Sequence, residues 1–295
     1  MSFKDMKKTR SDQLNKYREE ADKQNSSSFK KDERFWEPTV DKAGNGYAVL
    51  RFLPQPAGED MPWVRTFKHA FQGPGGWFID ECLTTIGKEC PVCQENNVLW
   101  NSGIEANKAI VRQRKRKLTY VSNIYVVEDP SNPDNNGKVF LYRYGKKIYD
   151  KINDLMNPAV DGMVSVDPFN FWDGATFQLK IRKVEGYRNY DTSQFKDPAQ
   201  LLETDKAMEA LYKLERPLLE FHGPEKFKPY DEQKTRLMRV LGGGASSAGA
   251  AAVTAPAPEA PATAEDDLPW DEPKGDESAA KADDDLTYFE NLANG

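Results

Sequence analysis

The chain is short of the residues that enzymes and disulfide scaffolds depend on. Its 295 residues include three cysteines and two histidines. A small, odd cysteine number excludes a disulfide framework. Long apolar runs are missing too, and none approaches the ~20 residues that cross a bilayer. The opening MSFKDMKKTRSDQL has no apolar signal core, so secretion is not expected. There is no G-x-x-x-x-G-K-[ST] phosphate loop, no H-E-x-x-H and no G-x-S-x-G turn. His222, in EFHGPEK, reads as surface structure rather than as a base. No enzyme is therefore expected. Hydrophobic residues make up 38% and charged residues 30%, so part of the chain should not pack into a core.

Positive charge is scarce in one region. Residues 241–295 contain two lysines (Lys274, Lys281) and twelve acids out of totals of 41 and 47, which leaves 39 basic and 35 acidic residues before them. The net charge of -6 thus hides a basic body and an acidic tail. That division suits a polyanionic partner, with a tail able to compete for the same surface.

The few cysteines sit together. His69, Cys82, Cys90 and Cys93 lie within HAFQGPGGWFIDECLTTIGKECPVC. Thiolate and imidazole are the ligands a tetrahedral zinc ion prefers, and Cys3His is a common closed set. The two residues between Cys90 and Cys93 let both sulfurs turn to one metal, and Gly73-Pro74-Gly75-Gly76 lets the chain reverse toward Cys82. A redox dithiol at Cys90 and Cys93 is the competing reading, and it lacks a clear βαβ context. A three-thiolate site without His69 is another. A closed structural site is expected, which argues for scaffolding rather than metal catalysis.

Along the chain, residues 1–30 form a polar arm with Lys7, Lys8, Thr9, Arg10 and Ser11 clustered, followed by a helix with a thin stripe of Leu14, Tyr17 and Ala21. GYAVLRFLP, WVRTFKHAF and GWFIDE read as strands. The cation cluster Arg112, Arg114, Lys115, Arg116 and Lys117 is expected to pass straight into a strand through Tyr120. A turn at DPSNPDNNG and a returning strand KVFLYRYG make a hairpin. GKKIYDKINDLM reads as a helix and ATFQLKIRKVEGYRNYD as a further strand ending in a loop with Tyr187, Arg188 and Tyr190. Helical segments are expected near 198–215 and 228–241, then a Gly/Ala/Pro linker and an acidic end too polar to fold alone. The fold class is mainly β with peripheral helices (α+β). The expected division is an arm (1–30), a core (31–241) with a metal subdomain at about 65–100, and a disordered linker and tail (242–295).

Cations recur beside aromatics. Arg112 to Lys117 lead to Tyr120, Arg143 lies between Tyr142 and Tyr144, and Arg188 lies between Tyr187 and Tyr190. Single-stranded nucleic acid needs that mixture, with cations along the phosphates and flat rings on unpaired bases. For any one ring, a place in the core is the competing explanation. A groove of this kind would accept single-stranded RNA as well as DNA, so an RNA-binding translational regulator remains an alternative.

DKAGNGYAVLRFLP at 41–54, the spaced His69, Cys82 and CPVC, and NIYVVEDPSNPDNNGKVFLYRYGKKIYDKIN at 123–153 together make the chain resemble the single-stranded DNA-binding (helix-destabilising) proteins of T-even-type bacteriophages. The resemblance covers most of the chain. It implies an OB-fold-like core and one structural zinc held by His69, Cys82, Cys90 and Cys93, although the Cys82–Cys90 gap is shorter than the family's. It implies cooperative self-association through Lys7-Lys8-Thr9-Arg10-Ser11, and a second basic motif at Lys115-Arg116-Lys117-Leu118-Thr119 in which Leu118 departs from the pattern. The DNA-facing aromatics would be Tyr120, Tyr142, Tyr187 and Tyr190, with Val111 replacing a further tyrosine. It also implies recruitment of replication and recombination proteins by the tail, and action in the cytoplasm of the infected bacterial host.

Overall fold

The computed structural model describes residues 32–160 and 162–242. The expected arm, linker and acidic tail lie outside these residues. Among the described residues, nine strands and five α-helices follow one another: β1 Phe35–Trp36, β2 Gly46–Phe52, β3 Val64–Gly73, β4 Gly76–Glu81, α1 Pro91–Asn101, α2 Glu105–Arg114, β5 Lys117–Glu128, β6 Val139–Tyr144, α3 Lys146–Met156, β7 Ala175–Val184, β8 Tyr187–Asn189, β9 Gln194–Pro198, α4 Asp205–Tyr212 and α5 Tyr230–Val240. Among the described residues, no helix is long and apolar enough to cross a membrane.

β5 organises the sheet. It pairs antiparallel with β6 along one edge, from Tyr120 opposite Tyr144 to Tyr125 opposite Val139. Its other edge is shared, with β3 along Lys117–Val121 and β2 along Ile124–Glu128. β2 continues to β7, which carries β8 and β9, and β3 continues to β4. Both faces of β5 are covered. Tyr120, Ile124 and Val126 enter the main core with Leu50, Phe52, Tyr142, Tyr144 and Phe177. Val121 enters a second cluster with Phe35, Val64, Leu141 and Leu218. Two-sided burial explains why a run of β-branched and aromatic residues suits this position.

The expected strands at β2 to β7, the β5–β6 hairpin and the α3 helix are all present, and Phe177, Leu179 and Ile181 of β7 are buried as the alternation requires. Three expectations need correction. The basic run does not pass straight into a strand, because Glu105–Arg114 is helical and only Lys117 begins β5. EANKAIVRQR is rich in helix formers, with Glu105 in its first turn and Arg112 and Arg114 in its last, a distribution that suits the helix dipole. The segment after Val184 is a second short strand rather than a loop, reached through a tight turn at Glu185 (φ 52°) and Gly186 (φ 90°). The helix expected near 198 starts only at Asp205, where the Thr204 hydroxyl accepts from the Ala207 N–H.

A smaller cluster lies around the β3–β4 hairpin and contains Phe71, Phe78, Cys82, Cys90, Val92, Phe227 and Leu237. α5 closes it. Arg236 donates to the carbonyls of Ile79 and Trp77, and Gln233 donates to that of Glu81, so alternate carbonyls on the free edge of β4 are covered. Asp80 is held between Arg236 (2.6 Å) and Lys228 (3.0 Å). At the hairpin tip Gly75 donates to the Val240 carbonyl, and a Cβ there would lie 2.0 Å from the Arg239 carbonyl oxygen. Glycine at this position therefore permits the helix end and the turn to touch.

Candidate metal centre and nucleic-acid interface

His69 comes from β3, Cys82 from the residue after β4, and Cys90 and Cys93 from the start of α1. Cys90 caps that helix and Pro91 occupies its first turn, where a missing N–H costs nothing, so both sulfurs sit at the helix N-terminus. One ligand atom from each residue lies within 4.8 Å of all the others. His69 Nε2 is 3.6 Å from Cys90 Sγ and 3.5 Å from Cys93 Sγ, and Cys82 Sγ is 3.6 Å from Cys93 Sγ. Bond lengths of about 2.3 Å to sulfur and about 2.0 Å to nitrogen put tetrahedral donors roughly 3.5–3.8 Å apart. The observed edges fit that tetrahedron, and none of the three cysteines is in a disulfide. These four residues could hold a metal ion.

Crowding four donors also divides the thiols. Hydrogen bonds from Cys82 and Cys93 draw the Cys90 thiol down from its ordinary range, while those to Cys82 and Cys90, with burial, push Cys93 up. A cation at the centre of the cluster would replace that uneven sharing of protons. His69, Cys82 and Cys90 are buried, which is unlike an exposed redox dithiol.

Outer contacts fix the donors and connect them to the basic run. His69 Nδ1 lies 3.0 Å from the Arg114 carbonyl oxygen, so with its proton on Nδ1 the ring turns Nε2 toward the sulfurs. Asn96 donates to the same carbonyl at 3.3 Å. The Thr84 hydroxyl is 3.1 Å from Cys82 Sγ and accepts from Arg116 Nη1 at 2.8 Å. Two members of the cation cluster, Arg114 through its carbonyl and Arg116 through its side chain, are thus anchored around the four donors. Arg116 also lies over the Phe67 ring at 4.2 Å and Arg114 over Phe71 at 5.6 Å. Arg112 is exposed and paired with Glu105, Lys117 is exposed, and Lys115 is half-buried.

The tyrosines form a ring series. Tyr120 stacks on Tyr149 (4.1 Å, 2°) and on Tyr144 (5.6 Å, 16°). Tyr144 continues to Tyr142 at 5.7 Å, and Tyr142 meets Trp36 edge-on at 5.3 Å. Trp63 meets Tyr149 at the other end. Tyr120, Tyr142 and Tyr144 are buried in the main core, and burial drives the Tyr142 and Tyr144 hydroxyls above their usual range. Tyr190, just after β8, packs against the same core. Tyr187 is 57% exposed at the hairpin tip, flanked by the exposed Arg182 and Lys183. Arg143 does not join the tyrosines. Strand alternation turns it to the other face, over the Phe35 ring at 3.5 Å and near Asp32, Glu37 and Glu81. Lys7, Lys8, Thr9, Arg10 and Ser11 lie outside the described residues.

Sequence reading missed Trp36, Trp63 and Tyr149 as members of the series. Only Tyr149 carried a signal, as an aromatic at a helix position one turn from Lys146 and facing the preceding strand.

A family model described as "gp32 DNA binding protein like" matches residues 44–241. The chain is 39% identical over 227 residues to the single-stranded DNA-binding protein of Enterobacteria phage T2, an alignment covering 75% of this chain and 73% of that one. It is 38% identical over 238 residues to the protein of the same description from Enterobacteria phage T4, covering 78% and 77%.

Proposed function

We propose, given that this chain belongs to the gp32-like family of DNA-binding proteins, that it coats single-stranded DNA without strong sequence preference during phage DNA replication, recombination and repair in the host cytoplasm. The observation that supports this most is the anchoring of the basic run. The His69, Cys82, Cys90 and Cys93 cluster ties Arg114 and Arg116 in place, and the strand that follows carries Tyr120 into the ring series. Zinc is the ion whose donor preference and size this cluster matches, and its role would be to hold the scaffold, with no open position for substrate. The sheet around β5 reads as an OB-like core. Phosphates would follow Arg112, Arg114, Lys115, Arg116 and Lys117. Bases would stack first on the exposed Tyr187 and the half-buried Tyr190, with Tyr120 and Tyr142 reached only if the neighbouring rings give way. The arm at 1–30 would join neighbouring copies on the strand, and the acidic tail would compete with DNA and engage replication and recombination proteins. Melting of duplex would follow from preference for the single strand, by mass action and without ATP.

The test is quenching of the intrinsic fluorescence by poly(dT) across a salt series. Binding whose logarithm falls linearly with the logarithm of salt concentration is expected. A salt-independent affinity, or equal affinity for duplex, would overturn the proposal. A matching RNA oligonucleotide that displaces the DNA would point to a 2′-hydroxyl contact and to RNA as the ligand.

A further inference from the structure

Below the metal cluster lies an open groove of about 520 Å³ that nothing above uses. Its apolar lining comes from Leu83 and Ile86 on one side and from Phe227, Pro229 and Tyr230 on the other. Leu83 and Phe227 are themselves core residues, so the floor of the groove is rigid. Lys88, Glu89 and Lys228 stand at its mouth. Their charges are not equivalent. Glu89 accepts from the Gln94 side chain at 2.9 Å, and Lys228 is paired with Asp80 at 3.0 Å. Lys88 is exposed and makes no ion pair among the described residues. The groove therefore offers an apolar slot with a free cation beside it. Such a slot fits a short apolar peptide with acidic flanks.

The chain contains such a peptide. Leu268-Pro269-Trp270 is an apolar triplet between Asp266-Asp267 and Asp271-Glu272. We propose that this segment docks in the groove of its own molecule, with the Trp270 ring on the Leu83–Phe227 floor and the flanking carboxylates toward Lys88.

The geometry permits it. α5 begins at Tyr230, in the groove wall, and its 11 residues carry the chain about 16 Å away. The 23 residues from 243 to 265 are mostly Ala, Gly, Pro and Ser. A chain of that length and composition has an expected root-mean-square span of roughly 25 Å, enough to return to the groove. At an effective concentration on the order of 1 mM, an intrinsic Kd of about 0.2 mM would keep the segment bound about five-sixths of the time. Tyr288-Phe289 is the other acid-flanked aromatic pair. It lies further along the chain and lacks a proline to pre-order it, so the nearer segment is favoured. The proposal does not depend on DNA binding.

Hydrogen–deuterium exchange on the full chain without DNA tests it. Trp270→Ala should speed exchange of peptides spanning 83–89 and 224–230 by about sixfold, as the occupancy above implies. Lys88→Glu should produce a smaller increase in the same peptides. Unchanged exchange in Trp270→Ala would overturn the proposal. An effect seen only with Tyr288→Ala/Phe289→Ala would also overturn it, by assigning the groove to the other segment. Protection that grows with protein concentration would do the same, because the occupant would then be a second copy. Oligonucleotide binding measured on the same variants keeps this outcome separate from that of the DNA-binding reading.

Discussion

At the scale of single residues, burial separates tyrosines that look alike in sequence. Tyr187 is 57% exposed, whereas Tyr142 is 2% exposed and packed against Trp36 and Tyr144. Tyr187→Ala should weaken oligonucleotide binding by about 1–3 kcal/mol while moving stability by less than about 0.5 kcal/mol. Tyr142→Ala should cost about 3–5 kcal/mol of stability, because a large core side chain leaves a cavity. Titration beside thermal melts separates the two effects, and equal stability losses would contradict this assignment. Glu215 offers a second residue-scale test. Among the described residues neither of its carboxylate oxygens has a hydrogen-bond partner, and burial, with Glu59 adding, pushes it up to about 8 from 4.5. The folded state thus keeps a proton that the unfolded chain releases. Stability should fall as pH rises from about 4.5 to 8, with the loss complete above that window. Glu215→Gln should flatten the fall and stabilise the protein by about 1–2 kcal/mol at pH 9, with little change at pH 4. Chemical denaturation at the two pH values checks the sign.

At the scale of elements, the metal cluster is a joint. It fastens β3, the segment after β4, α1 and the end of α2 to one another, and it does so through atoms that also hold Arg114 and Arg116. Removal of the ion by a strong chelator should therefore lower DNA affinity as well as stability. The expected loss is about tenfold or more in affinity, the range seen when support of a metal site fails. Metal analysis should find one zinc per chain, and the three thiols should react only after chelation. A chelated protein with full DNA affinity would mean that the basic run is held by the sheet alone. The clamp of Asp80 by Arg236 and Lys228 makes the same joint depend on α5, which arrives from far along the chain.

At the scale of the whole molecule, the separation of charge gives two predictions for the segments that flank the described residues. Deletion of 255–295 should raise DNA affinity at low salt, because about ten net negative charges leave a basic body. The gain should shrink as salt screens the competition. Deletion of 1–11 should lower cooperativity on long strands and leave binding to a short oligonucleotide intact. Titrations on a short and a long oligonucleotide distinguish the two roles. Unchanged low-salt affinity in the first case, or lost short-oligonucleotide binding in the second, would defeat them.

Much of this protein was legible before any coordinates. The alternation in β7, the β5–β6 hairpin and the grouping of His69, Cys82, Cys90 and Cys93 as four residues that could hold a metal follow from spacing and residue type, because strand period and ligand preference are local chemistry. The helix at Glu105–Arg114 was not legible, since its basic residues read equally well as the start of β5, and the helix ends where the backbone turns extended at Lys115 (φ −53°, ψ 147°). Nor could sequence decide which tyrosines lie inside. Tyr142 and Arg143 are neighbours in the chain, yet the pleat sends one to the core and the other to the opposite face. Burial is a property of what packs on a residue from elsewhere. Trp36, Tyr149 and β8 converge on Tyr142 and Tyr120 only when β1, α3 and β7 are brought together in the folded chain.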